Sequence, residues 1–217
     1  MKQYTITKEG LKSLVDDLIK EYTVYGPKTD EDNIVLYGVL SSFGDYNDKV
    51  LLTNTTAKDK VYLQSERLFD FHKSKDGVEL KESKDEKEKV IFGCRPCDAR
   101  GFDVIDKLFN WSGYNDEYYS EKKAKTTIIS ISCAEPETTC FCTSFKSGSP
   151  ANEVGSDLLL TPIDGKFLVD VVTTKGEALA NKYKKYFDNA TDSDIKLKND
   201  FKAKSESKIA KKINCEE

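Results

Sequence analysis

Histidine is almost missing from this chain: among 217 residues there is one, His72. With a single imidazole no second histidine is available to a zinc site, and His72 lies in a segment apart from every other candidate ligand. A Ser/His/Asp set finds no helpful context there either. Long apolar runs are missing as well. The opening MKQYTITKEGLKSL holds no signal-like stretch, and no window approaches the roughly 20 apolar residues that cross a bilayer. The expectation is a soluble, cytoplasmic protein without a membrane span. An excess of one charge is absent too: 34 Lys and Arg stand against 38 Asp and Glu, a net charge of -4. No global basic field therefore favours nucleic acid. Finally, no GxGxxG occurs, and Gly148 and Gly155 build no phosphate loop, so nothing marks an independent nicotinamide or flavin enzyme.

What the chain does have is clustered cysteine. Of its six, Cys94 and Cys97 lie in GCRPCDARG, and Cys133, Cys140 and Cys142 in CAEPETTCFC. In a reducing compartment such clusters read as metal ligands or catalytic thiols rather than as structural disulfides. The sixth, Cys215, reads as a free thiol on a frayed tail.

Hydrophobic periodicity places these residues. Thr7 is suited to cap a helix with Leu11, Leu14, Val15, Leu18 and Ile19 on one stripe, so the chain is expected to open helix first, then strand. IVLYGVL at 34–40 and KVLLT from Lys49 read as strands. The charged stretch between Gly77 and Lys89 reads as a solvated hairpin or loop. KVIFG is a buried strand running into a helix carrying Phe102, Val104, Ile105, Leu108 and Phe109, which puts Cys94 and Cys97 at a strand-to-helix turn. A second strand, TTIISIS at 126–132, delivers Cys133. Neighbouring strands would present both cysteine loops at one sheet edge, where open α/β sheets place their sites. DLLLTPIDGKFLVDVV reads as a hairpin around Asp164-Gly165, followed by a helix in GEALANKYKKYF and a lysine-rich stretch at 194–214 that is a marginal helix or an interaction arm. The fold class expected is α/β, a mixed sheet with flanking helices and metal-binding loops at strand ends, with residues 1–190 as the domain and 191–217 as a lysine-rich helical tail or linker.

Three chemistries compete for the cysteines. Cys97, Cys133, Cys140 and Cys142 supply the four thiolates of a 4Fe-4S cluster, although their spacing is not that of bacterial ferredoxins. The same four would close a structural zinc site, but only one CxxC is present. Strand-CRPC-helix is also the layout of a dithiol redox site in which Cys94 attacks, and plain buried cysteines complete the set. The neighbours suit a cluster: Arg95 and Arg100 bring positive charge, a helix starting near Asp98 aims N–H groups at the sulfurs, and Phe141 and Phe145 limit solvent.

The wording of these loops is also familiar. FGCRPCDARGFDVIDKLF and SCAEPETTCFCTSFKSGSP resemble the β (iron-sulfur) subunit of cytoplasmic nickel-iron sulfhydrogenases and its counterpart in anaerobic sulfite reductase, with RPCD at 95–98 and CFCTS at 140–144 the most specific pieces. The resemblance implies an electron-transfer subunit that relays single electrons through a 4Fe-4S cluster. Its partners would be flavin- and iron-sulfur-containing subunits and a catalytic subunit of a hydrogenase or sulfite reductase complex. It also implies Cys97, Cys133, Cys140 and Cys142 as ligands, with Cys94 outside the set. Such subunits usually continue into a ferredoxin-like domain with CxxCxxCxxxCP repeats. This chain has only Cys215 there, and reads either as a piece of a longer protein or as a short version.

Overall fold

The computed structural model describes residues 2–50, 52–75, 77–83, 87–146, 148–209 and 213. Cys215 lies outside them. The order is β1 (Lys2–Thr7), α1 (Lys8–Glu21), β2 (Thr23–Thr29), β3 (Val35–Val39), a hairpin of β4 (Phe69–Ser74) and β5 (Gly77–Glu82), then β6 (Lys89–Cys94) and α2 (Pro96–Phe109). A two-residue ribbon, β7 (Asn110–Trp111) and β8 (Tyr114–Asn115), leads to α3 (Glu117–Ala124) and β9 (Thr126–Ile131). The remainder is β10 (Leu158–Ile163), β11 (Lys166–Val171), α4 (Thr174–Lys182), β12 (Asp188–Asn189) and α5 (Asp192–Ser207).

The fold class is α/β: an eight-stranded mixed sheet in the order β12-β1-β11-β10-β9-β6-β2-β3, with five α-helices among the described residues. Its centre, β10-β9-β6-β2, is parallel, and the strands outside it are antiparallel. Every residue of β6 and β9 is buried, as expected of parallel strands covered on both faces. On one face Leu11, Leu14, Val15 and Leu18 of α1 and Leu179 of α4 pack on Val90, Phe92 and Ile129. On the other, Ala99 and Phe102 of α2 and Tyr119 of α3 pack on Ile91 and Ile128. Because β6 and β9 are parallel neighbours, the loops that leave their C-terminal ends share one edge of the sheet.

Two local expectations are corrected. The chain opens with a strand, not with the helix: β1 precedes α1 and pairs with β11 through six residues. Thr7 ends that strand and caps α1 by accepting the Gly10 N–H at 2.9 Å. KVLLT is not a strand among the described residues. The chain returns beside β3 through isolated bonds instead: the Tyr37 N–H donates to the Thr55 hydroxyl at 2.9 Å, and the Asn54 N–H to the Val35 carbonyl at 2.8 Å. A side chain takes the place of the ladder partner, so the apolar run is left as loop.

α5 is held less by apolar periodicity than by charge. Thr191 and Asp194 form a capping box, Lys166 pairs with Asp194 at 2.8 Å, and Lys198 reaches the fully buried Asp170 at 2.7 Å. Gln3 holds the other Asp170 oxygen at 2.7 Å. Removing one member of such a pair strands a buried charge. Lys198→Ala is expected to cost about 3 kcal/mol, read as a lower urea midpoint with an unchanged m-value. A midpoint equal to that of the parent protein would show that the pair contributes nothing. Among the described residues no helix is long and apolar enough to cross a membrane.

Candidate metal centre

The strand-to-helix turn is built for exposure of one thiol and burial of the other. Pro96 stands at the first position of α2, where its missing N–H costs nothing, and this brings Cys97 into the first turn with its side chain exposed. A β-bulge between Phe92 and Cys94 interrupts the ladder of β6. Cys94 points into the second core beside Ile91, Ala99 and Phe102 and is fully buried. On the neighbouring strand Cys133 follows β9, anchored by its own N–H on the Pro150 carbonyl at 2.9 Å. Cys140 closes a turn with Glu137, whose N–H donates to the Cys140 Sγ at 3.2 Å. Cys142 opens a single 3-10 turn, Cys142–Ser144.

These elements converge. Cys97, Cys133, Cys140 and Cys142 line one open cleft of about 520 Å³, together with Arg95, Arg100, Phe141 and Phe145. The two phenylalanine rings stand 5.7 Å apart at its rim. Arg100 donates to the Lys146 carbonyl at 3.1 Å and so ties α2 to the CFC loop. Arg95 donates to the Val50 carbonyl at 2.8 Å.

The thiols feel their surroundings and one another. Although its residue is open to solvent, the cleft wall partly desolvates the Cys97 thiol and pushes it up to about 11, helped by the Asp98 charge and by Cys142 and Cys140, while the Asp98 N–H donates to its sulfur and opposes the rise. Burial likewise pushes Cys133 up to about 11 against the pull of Arg95, with the other three thiols adding to the rise. Cys142 is raised by burial and by Cys140, and its sulfur accepts the Thr143 N–H. Thiols whose ionisation is disfavoured in this way, as at Cys97, Cys133 and Cys142, gain from a bound cation.

Two residues behave otherwise than expected. The Asp98 side chain pairs with Lys58 at 2.8 Å rather than lining the cleft, and the residue acts on Cys97 through its charge and its backbone N–H. Cys94 is held well above the usual thiol range by burial. A sealed, protonated sulfur is a poor attacking nucleophile, so the CRPC dithiol reading loses its first thiol. Of the α2 carboxylates, Asp103 pairs with Lys107 and Asp106 with Lys123, each at 2.9 Å.

The structure adds contributors that the sequence did not single out. A Cβ on Gly148 would fall 1.9 Å from the Cys142 carbonyl oxygen. Ile209, just past α5, lines the cleft. Lys208 donates to the Ala134 carbonyl at 3.2 Å, and the Ile213 N–H to the Ser144 hydroxyl at 2.8 Å. Lys208 and Ile213 thus brace the cysteine loop that follows β9 at both of its ends, which no motif spacing could signal.

The donor set is the kind that holds iron-sulfur groups or zinc. All four donors are soft sulfurs. Among the described residues no three Cys, His, Asp or Glu side chains close around one ion position. One buried hydroxyl beside the thiols, Thr143 Oγ1, has no partner among the described residues.

No family model matches the chain. Sulfhydrogenase 2 subunit beta of Pyrococcus furiosus is 31% identical to it over 127 residues, 58% of this chain. The match covers 37% of that relative's length. The resemblance carried by the two cysteine loops is therefore met by a curated protein: this chain is similar, over more than half of its length, to the β subunit of a sulfhydrogenase.

Proposed function

We propose that this chain is an electron-transfer subunit of a multi-subunit oxidoreductase of the hydrogenase or sulfite reductase type, relaying single electrons between partner subunits through a 4Fe-4S cluster. Cys97, Cys133, Cys140 and Cys142 are its ligands, residues 1–190 carry the centre, and the complex is cytoplasmic. The observation that carries this reading is the meeting of four thiols from separate turns around one cleft. When bound, such a cluster supplies a one-electron couple whose potential is set by charge, hydrogen bonds and solvent.

The residues of the chain do the rest. The N–H groups of Glu137, Asp98 and Thr143 donate to Cys140, Cys97 and Cys142 and stabilise negative charge on sulfur. Arg95 and Arg100 bring positive charge to the cleft, and Phe141 and Phe145 narrow its mouth. The exposed rings, with Val104 and Leu108 exposed along α2, form an apolar rim over which a partner docks on the CFCTSFKSGSP loop. The partners are flavin- and iron-sulfur-containing subunits and a catalytic subunit.

Anaerobic purification followed by metal and sulfide analysis and a visible spectrum tests the proposal. About four iron and four acid-labile sulfide per chain, with a brown colour that bleaches on reduction, is the expected result. A colourless protein carrying zinc, or one carrying no metal, sinks it.

A further inference from the structure

The cleft that gathers the four thiols has two kinds of apolar wall. Its Leu, Ile, Val and Phe side chains are Leu52, Val104, Phe141, Phe145 and Ile209. Four of them are open to solvent, Phe141 at 41% the least and Val104 at 61% the most. Ile209 is 8% exposed and forms an inner wall. A partner docked on the rim covers the four exposed side chains, whereas Ile209 is buried within this chain alone.

Ile209 is placed by bonds on either side of it. Its own N–H donates to the Glu206 carbonyl at 3.2 Å where α5 ends. Lys208 donates to the Ala134 carbonyl at 3.2 Å and pairs with Glu135, and the Ile213 N–H donates to the Ser144 hydroxyl at 2.8 Å. Ala134 directly follows Cys133, and Ser144 ends the turn that Cys142 opens. Residues flanking Ile209 are thus fastened to the loop that supplies three of the four thiols, and a β-branched side chain there is stiff.

The consequence follows from charge. A 4Fe-4S group held by four thiolates carries net negative charge, and reduction adds one electron more. Water beside it stabilises the reduced form more than the oxidised one, so an apolar wall that keeps water out lowers the potential. The same wall limits access of solvent to the bonds between iron and sulfur.

We propose that Ile209 is the solvent-excluding residue of this cleft: its side chain shields the cluster held by the four cysteines, keeps its reduction potential low and slows its loss. The inference rests on the ligand reading above and goes further by naming a residue outside both cysteine loops that governs how the group behaves. Ile209 is a positioning residue that acts through water and ligates nothing.

Ile209→Ala opens the wall, and Ile209→Leu keeps it apolar at nearly the same volume. In dye-mediated titrations with dithionite as the reductant, Ile209→Ala is expected to raise the reduced-to-oxidised ratio at fixed potential about tenfold, a shift of about 59 mV for one electron. Anaerobic release of iron to EDTA should quicken about tenfold, and Ile209→Leu should return both readings to the parental values. A parental potential in iron-loaded Ile209→Ala overturns the inference and leaves the ligand reading intact, even where the unfolding midpoint falls, since that marks a side chain that only packs. A shift of equal size in Ile209→Leu overturns it too, because the wall is then still apolar. If Ile209→Ala fails to load, Ile209→Val is titrated instead: a smaller rise supports the inference, and a potential equal to the parent's overturns it. Parent protein without iron or sulfide overturns the ligand reading and this one with it.

Discussion

Cys140→Ser is expected to abolish iron loading and visible colour, while Cys94→Ser keeps both. Cys140 lines the cleft and its sulfur is already oriented by the Glu137 N–H at 3.2 Å. A serine oxygen is harder and shorter, and a three-sulfur set can no longer close the group. Disturbing even the partners of a ligand costs about 10- to 100-fold in metal affinity, so losing the ligand itself should exceed that. Cys94 lies in the second core, fully buried, with the Arg95 carbonyl at 3.5 Å as a polar neighbour. A hydroxyl there costs about 1–2 kcal/mol of stability, and nothing in the cleft changes. Metal analysis and the chemical unfolding midpoint of each variant separate the two effects. Colour lost with Cys94→Ser and kept with Cys140→Ser would overturn the ligand set.

The second large effect concerns a backbone approach rather than a sulfur. Gly155 has φ of 83°, and a Cβ there would lie 1.9 Å from the carbonyl oxygen of Ala99. The loop before β10 therefore touches α2 two residues past Cys97. Gly155→Ala combines left-handed strain of about 1–2 kcal/mol with overpacking of about 1–3 kcal/mol, and relief requires α2 to move away from the loop. Cys97 would move with it, so stability and metal loading should fall together. Gly165, at φ of 78° in the β10–β11 turn, has nothing within 4 Å of the same added atom. Gly165→Ala should therefore lose only about 1–2 kcal/mol and load normally. Equal losses in the two variants would show that the α2 contact is irrelevant to the site.

How much of this was legible follows from the kind of signal each element carries. The continuous apolar runs of β6 and β9 and the 3.6-residue stripe of α2 are local patterns, and they led to the turns that present the cysteines. The β10–β11 hairpin announced itself in Asp164-Gly165. β1 stayed hidden because KQYTIT alternates weakly and runs without a break into the helix that Thr7 caps. KVLLT misled because apolar content does not supply a pairing edge. α5 carries little stripe of its own, and what docks it, Lys198 on Asp170, joins residues from separate elements.

The residues alone determined which chemistry is possible: nearly no histidine, a surplus of thiols in two short segments, and strands and helices whose periodicity sets those thiols at loop ends. Tertiary structure decided which thiols share a cleft. Cys94 and Cys97 are three apart in the chain, yet the interrupted ladder at the end of β6 sends one into dry packing and the first turn of α2 sends the other to the cleft. The reason is physical: burial and approach are properties of surfaces that meet only after the sheet has formed, and the bracing of the loop after β9 by Lys208 and Ile213 depends on contacts no local pattern encodes.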